Sequence, residues 1–296
     1  MMFENSSVMV ITDEYEPRIL KIDTNAKTQI SICNAFAESV STLFQNKHQI
    51  VFNGSYKPDN DECLTIKNFQ IPNEIQSAIC NPLGVTSYGI SDKKFPDIKC
   101  FFVGEYVQTN NSIKLSVAFQ RFRKEQYISK KNWYNLFFDN NSFYQENKFG
   151  FSISNNIDCF YESNDLHFLS FYFARQVFDL SQYYRIATDQ DVNDFIANEK
   201  LLIENPVIFM EMSDTFIRRK IAMINDSEIL KKFSALKIKN IAKKLNINIS
   251  VKNQKIIIPN NKNEVKLILK LLDEEAYQGV FSQTLFLTNS KRQVVI

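Results

Sequence analysis

Apolar and polar positions alternate along this chain in rhythms that change from one third to the next. The opening reads as two short strands, Val8 to Thr12 and Arg18 to Ile22. A helix from about Asn25 to Gln45 follows, where Ile30, Cys33, Phe36, Ala37, Val40, Leu43 and Phe44 recur at three- and four-residue spacing. From Ile50 to Pro96 the rhythm is broken by Asn-Gly, Lys-Pro-Asp-Asn-Asp, Ile-Pro and Asn-Pro-Leu-Gly, which predicts short strands and loops. The middle is strand-rich: Lys99 to Val107, Ile113 to Phe122, Phe149 to Ser154, Ile157 to Glu162 and Leu166 to Phe171. Asn, Ser and Asp turns at short intervals separate these strands, the signature of antiparallel hairpins. The rings of Phe101, Phe102, Phe151, Phe160, Phe168 and Phe171 read as core in preference to base-stacking platforms.

Beyond Phe171 the period becomes helical. Tyr172 to Tyr184, Thr188 to Asn198 with Thr188 as N-cap, and Ser213 to Ile224 with Ile217, Ile221 and Ile224 inward are predicted helices. Ser227 reads as the N-cap of a further segment in which Leu230 and Phe233 point inward. Lys237 to Asn246 places Ile238, Ile241, Ala242 and Leu245 on one face, with lysines along both flanks. Ile247, Ile249 and Val251 alternate, Lys252-Asn253-Gln254 turns, and Lys255 to Ile258 returns, a hairpin stopped by Pro259. A last helix, Lys262 to Glu275, buries Val265, Ile268, Leu269 and Leu272 and presents Lys262, Lys266 and Lys270 as a ridge.

The fold class is therefore α+β. An N-terminal strand-helix portion and a central antiparallel β-meander precede a basic helix–hairpin–helix-rich C-terminal part. The expected division is an acidic, strand-rich domain over 1–203 and a basic, helical part over 204–296, with a looser seam between Leu201 and Pro206; the two can also pack as one continuous domain.

Charge sharpens this division. The chain of 296 residues is 44% hydrophobic and has a net charge of only +2. Residues 1 to 214 hold 19 Lys/Arg against 27 Asp/Glu, whereas residues 215 to 270 hold 14 against 3. Clustered cations of this kind gain from displacing counterions condensed on a polyanion, although solvated lysine faces give the same composition. The candidate phosphate contacts are Arg218, Arg219, Lys220, Lys231, Lys232, Lys237, Lys239, Lys243, Lys244, Lys252, Lys255, Lys262, Lys266, Lys270, Lys291 and Arg292. Lysine outnumbers arginine among them, and no zinc-finger, RNP or GxxG motif is present, so sequence-tolerant backbone contact is the expected mode.

Candidate chemistry is sparse. GxGxxG and GxxxxGK[ST] are absent, which removes support for dinucleotide or P-loop binding. The five cysteines are scattered without a CxxC pair, a pattern of buried thiols in a reducing compartment, and no cofactor or metal is expected. No apolar run is long enough to cross a membrane, so a cytoplasmic location is expected, with any membrane attachment through a partner. His48 and His167 have no Ser, Cys or acid at motif spacing and read as structural. Glu264-Val265-Lys266 has the E-x-K form of some metal-dependent nucleases, but it opens a helix and its nearest upstream acid is Glu228. Asp273, Glu274 and Glu275, read as successive helix positions, diverge by about 100° each and form an acidic surface end.

Several strings taken in order resemble the KwaB-like proteins, the soluble component of the bacterial Kiwa anti-phage system. They are Val177-Phe178-Asp179-Leu180-Ser181-Gln182-Tyr183-Tyr184 with Ala187-Thr188, Ile217-Arg218-Arg219-Lys220-Ile221, Ile258-Pro259 leading to Glu264-Val265-Lys266, Leu271-Leu272-Asp273-Glu274-Glu275-Ala276-Tyr277, and Thr288-Asn289-Ser290-Lys291-Arg292. They span roughly residues 170 to 296, and the N-terminal part is similar only in general character. The resemblance implies a DNA-binding, homodimeric defence protein that works with a membrane-embedded KwaA-like partner and has no established enzymatic activity. A metal-dependent nuclease using Glu264 and Lys266, and a protein-interaction module of another defence operon, are the alternatives.

Overall fold

The computed structural model describes residues 2–54, 56–90, 96–108, 113–128, 136–139, 142–145, 148–288 and 290–291. The chain divides into two units: Met1–Phe52 with Pro58–Asp179, and Asn53–Lys57 with Leu180–Ile296.

The first unit contains β1 (Met9–Thr12), β2 (Ile19–Lys21), α1 (Ala26–Val40), β3 (His48–Val51), β4 (Glu62–Ile66), α2 (Asn73–Cys80), β5 (Ile98–Gln108) and β6 (Ile113–Arg121). It continues with β7 (Tyr127–Ile128), β8 (Leu136–Asp139), β9 (Ser142–Gln145), β10 (Gly150–Phe151), β11 (Cys159–Glu162), β12 (Asp165–Phe168) and α3 (Phe171–Val177). Eight strands form one sheet in the order β2-β1-β5-β6-β11-β12-β4-β3, antiparallel except for the β3–β4 pair. β5 and β6 are its long central pair, with Phe101 opposite Gln120 and Phe102 opposite Phe119.

Alternate residues of these strands face opposite sides, and both sides are covered. Phe101, Val103, Ala118 and Phe160 join Phe36 and Val40 of α1 in one cluster. On the other face Phe102 and Phe119 meet, and Phe119 packs edge-on against Phe178. A Cβ on Gly104 would lie 2.5 Å from the Ile79 side chain, so this glycine lets α2 close onto β5. Double coverage explains why β4 is buried at every position and gives no alternation in the sequence. His167 lies in this interior with its Nδ1 3.0 Å from the Thr65 hydroxyl, and burial pushes its pKa down.

The second unit contains α4 (Asp189–Ile196), β13 (Leu201–Ile203), α5 (Pro206–Met212), α6 (Thr215–Ser227), α7 (Ile229–Lys232), α8 (Ala235–Lys244), β14 (Val251–Lys252), β15 (Lys255–Ile258), α9 (Lys262–Leu272), β16 (Ala276–Gln278) and β17 (Leu285–Leu287). Its helices pack around a small sheet ordered β13-β15-β14, with Phe195, Phe209, Ile221, Ile256 and Leu269 among the buried residues. The molecule is thus mixed α+β with a large, mostly antiparallel sheet.

Local signals account for most boundaries. Asn25, Thr188, Ser234 and Asn261 cap α1, α4, α8 and α9 through their side chains, and Thr188 forms a reciprocal capping box with Asp191. Other boundaries differ from the sequence expectation. The helix expected over Tyr172 to Tyr184 stops at Val177, where Phe178 turns to extended backbone. Ser227 is the last residue of α6, and Glu228, in the left-handed region at φ 56°, makes the break. The expected seam at Leu201 to Pro206 carries β13, paired in parallel with β15. The last helix ends at Leu272, because Glu274 is also left-handed at φ 55°.

Candidate nucleic-acid interface

The cations of the second unit fall into two sets with different surroundings. The first set lies along α6 and α9. Ile217, Ile221 and Ile224 turn inward from α6 as expected. Lys220 stands three residues after Ile217 and four before Ile224, which puts it on the flank of the same stripe. It is 1% exposed and is not a surface contact, contrary to its place among the candidates. Its ammonium lies 2.6 Å from Asp273 and 2.5 Å from Glu275.

The two acids are themselves buried, not the surface end expected of a continuing helix. The left-handed turn at Glu274 swings Glu275 back to the side of Asp273, so both carboxylates converge on one lysine. Lys291 adds a second ammonium 2.9 Å from Asp273. Two cations and two carboxylates therefore close a balanced cluster, the form in which buried charge is tolerated.

The rest of the first set is also tied to the protein. Arg218 reaches Asp189 at 2.6 Å and donates to the carbonyls of Ala187 and Ser213. Arg219 donates to the Gly54 carbonyl and lies 4.9 Å from the Tyr184 ring. Lys262 and Lys266 both reach Asp214, at 3.0 and 3.3 Å. Lys270 lies 6.0 Å from the ring centre of Phe216, over which Lys266 also sits.

The second set lies on α7, α8 and the β14–β15 hairpin. Residues 229 to 263 contain nine lysines and no Asp or Glu, a signal carried by composition and by no motif. Lys231, Lys232, Lys237, Lys239, Lys243, Lys244 and Lys252 are exposed and Lys255 is half-buried. Lys231 pairs with Glu228 at 2.8 Å, and Lys232 donates to the Ser227 carbonyl. Lys237, Lys239, Lys243, Lys244, Lys252 and Lys255 form no ion pair among the described residues.

Their mutual placement is unfavourable without a counter-charge. Lys239 and Lys243 repel at i,i+4 on α8, and Lys252 stands directly opposite Lys255 across the hairpin. Asn253 and Gln254, both left-handed, close that turn and hold the two lysines side by side. The buried stripe of α8 is narrow, carried by Ala235, Ile238 and Ala242. Ile241, expected inward, falls at its margin and is 41% exposed, beside exposed Leu236. Arg292 lies outside the described residues.

The nuclease-like pair is not assembled into a metal-holding set. Glu264 is exposed in the first turn of α9, while Lys266 is drawn to Asp214. Among the described residues, no three His, Cys, Asp or Glu side chains gather closely enough to hold a metal ion. No helix among them is long and apolar enough to cross a membrane.

Asp214 is the residue that sequence reasoning missed. It caps α6 by accepting from the Ile217 amide at 3.0 Å and is the shared partner of Lys262 and Lys266. Partial burial pushes its carboxyl up. The Ile217 amide and the two ammoniums outweigh that effect and hold it at about 2. Its signal in the sequence is an acid immediately before an amphipathic basic helix.

No curated protein and no solved structure matches this chain. The family model described as Kiwa protein KwaB-like matches residues 103–281, from within β5 of the first unit to the turn after β16. That match covers more than half of the chain and extends the resemblance well upstream of residue 170. The chain belongs to the KwaB-like family and is thereby a component of the Kiwa anti-phage defence system.

Proposed function

We propose that this protein acts in defence as a non-catalytic, largely sequence-independent DNA-binding effector, gripping the phosphate backbone through the lysines of α8 and the β14–β15 hairpin. The observation that carries this reading is the set of six lysines without ion-pair partners among the described residues, two pairs of which repel each other as they stand. An array of phosphates removes that repulsion and gains from counterion release. Ammonium groups on flexible stems meet phosphates as point charges, which favours binding without base discrimination. Exposed Leu236 and Ile241 on the same helix supply apolar contact to sugars or to a partner.

Fluorescence anisotropy on a labelled double-stranded DNA tests the proposal. With six phosphate contacts, affinity falls by about three decades between 50 and 200 mM salt. An affinity indifferent to salt contradicts it. Omitting and adding Mg²⁺ in the same assay separates binding from the nuclease alternative, since cleavage lost in Glu264→Gln would favour the latter.

Membership of the Kiwa system supports a partner protein; the remainder of the proposal is a cytoplasmic homodimer held at the inner face of the membrane by a membrane-embedded KwaA-like protein. Size measurement by light scattering and co-purification with a co-expressed partner test these two assemblies. The second reading, an interaction module whose lysines meet an acidic protein, rests on the same uncompensated face. It is favoured if Lys239→Glu abolishes partner capture while the wild-type protein leaves DNA unshifted.

A further inference from the structure

Unlike the Lys220–Lys291 cluster, in which Asp273 and Glu275 balance two cations, the Lys262–Lys266–Asp214 cluster sets two cations against one carboxylate among the described residues. Two ammoniums and the N-terminal end of the 13-residue α6 converge on a single carboxylate. One oxygen of Asp214 accepts from the Ile217 amide, and the other is shared by Lys262 and Lys266 at 3.0 and 3.3 Å. The Phe216 ring lies beneath, 5.1 Å from the Lys266 ammonium and 6.0 Å from that of Lys270.

Among the described residues, the positive charge gathered here exceeds the one carboxylate paired with it. The three side chains are reachable from solvent, at 36%, 46% and 34% exposure for Asp214, Lys262 and Lys266. Backbone amides at a helix end with two ammoniums beside them are the donors that phosphate oxygens take elsewhere, and here a carboxylate of the protein stands in the phosphate's place.

We infer that Lys262, Lys266 and the N-terminus of α6 form a second phosphate subsite, which the Asp214 carboxylate occupies until a phosphate of the bound polyanion displaces it. This inference rests on the proposed phosphate binding and adds a control to it. Asp214 sets a threshold: isolated phosphates lose to a tethered carboxylate, whereas a polymer already held on α8 and the hairpin presents phosphates at high effective concentration.

The test compares Asp214→Ser, Lys262→Gln with Lys266→Gln, and the triple variant. Serine retains an N-cap acceptor without the charge, and Asp214→Asn is the second cap-preserving variant. In anisotropy with double-stranded DNA at low salt, Asp214→Ser is expected to bind about tenfold more tightly. Its log–log salt slope steepens by about one unit for the phosphate gained. In the background lacking both lysine charges the same substitution gains nothing.

An equal gain in both backgrounds reduces Asp214 to a general charge effect and overturns the inference, as does no gain in either cap-preserving variant. If the wild-type chain fails to bind DNA, the proposed function falls, and the subsite is then decided with inorganic tripolyphosphate in a thermal melt. Stabilisation greater in Asp214→Ser than in wild type, and lost with Lys262 and Lys266 neutralised, sustains it; equal stabilisation ends it.

Discussion

The two basic surfaces of the second unit gather similar numbers of cations, yet they differ in how far acids answer them. Along α6 and α9, anchored cations meet Asp189, Asp214, Asp273 and Glu275. On α8 and the β14–β15 hairpin, six lysines lack an ion pair among the described residues and oppose one another. Lysine density is therefore a poor guide to a polyanion surface. The placement and burial of acids decide which lysines are locked into the fold, as Lys220 is, and which meet a partner freely or only in competition with a carboxylate.

The sharpest way to break this comparison is at Lys220. Lys220→Ala removes the ammonium and leaves Asp273 and Glu275 buried around a lost partner, so urea denaturation is expected to show a loss of about 3–5 kcal/mol. A variant that keeps wild-type stability while losing DNA affinity would return Lys220 to the surface set. Next in size, Lys239→Glu with Lys243→Glu is expected to weaken DNA binding about a hundredfold at low salt. The salt slope becomes shallower by about two units, and the melting temperature stays within a few degrees of wild type. An effect confined to one DNA sequence would argue for base readout instead.

Thr188→Ala, which dismantles the capping box at the start of α4, is expected to cost about 1 kcal/mol in the same denaturation assay without changing the salt slope. The smallest expected effect is the acid behaviour of Asp214. Because its folded value lies below that of a free carboxylate, its contribution is complete above the ordinary carboxylate range and is lost as pH falls from there toward about 2. Asp214→Ser should flatten the stability profile in that window, as read from melts at successive pH values.

What the sequence made legible follows from how local the signal was. The period of α9, the Thr188 cap and the strands of the β5–β6 hairpin are written in adjacent residues, and they appear where their rhythm places them. Buried β4 and short β13 carry no alternation, and β13 pairs with β15 in parallel, so neither announces its neighbour. At the candidate site the cations were plain, but their partners were not. Asp273 and Glu275 reach Lys220 only because Glu274 adopts a left-handed turn that its residue type does not advertise. Asp214 shares no local motif with Lys262 or Lys266; the link among the three arises from the packing of α6 beside α9.

The short segment Asn53–Lys57 has a consequence for biosynthesis. It belongs to the second unit although the bulk of that unit begins at Leu180. Its Gly54 carbonyl receives Arg219, and its Lys57 amide donates to the Ser290 hydroxyl at 3.0 Å. On a growing chain this segment emerges early and waits for partners near both the middle and the end of the second unit, closing long loops whose entropy cost rises only slowly with length. A fragment begun at Leu180 lacks that piece, so fragment complementation with a peptide spanning residues 53–57, not simple truncation, is the route by which the C-terminal half would regain its full set of contacts.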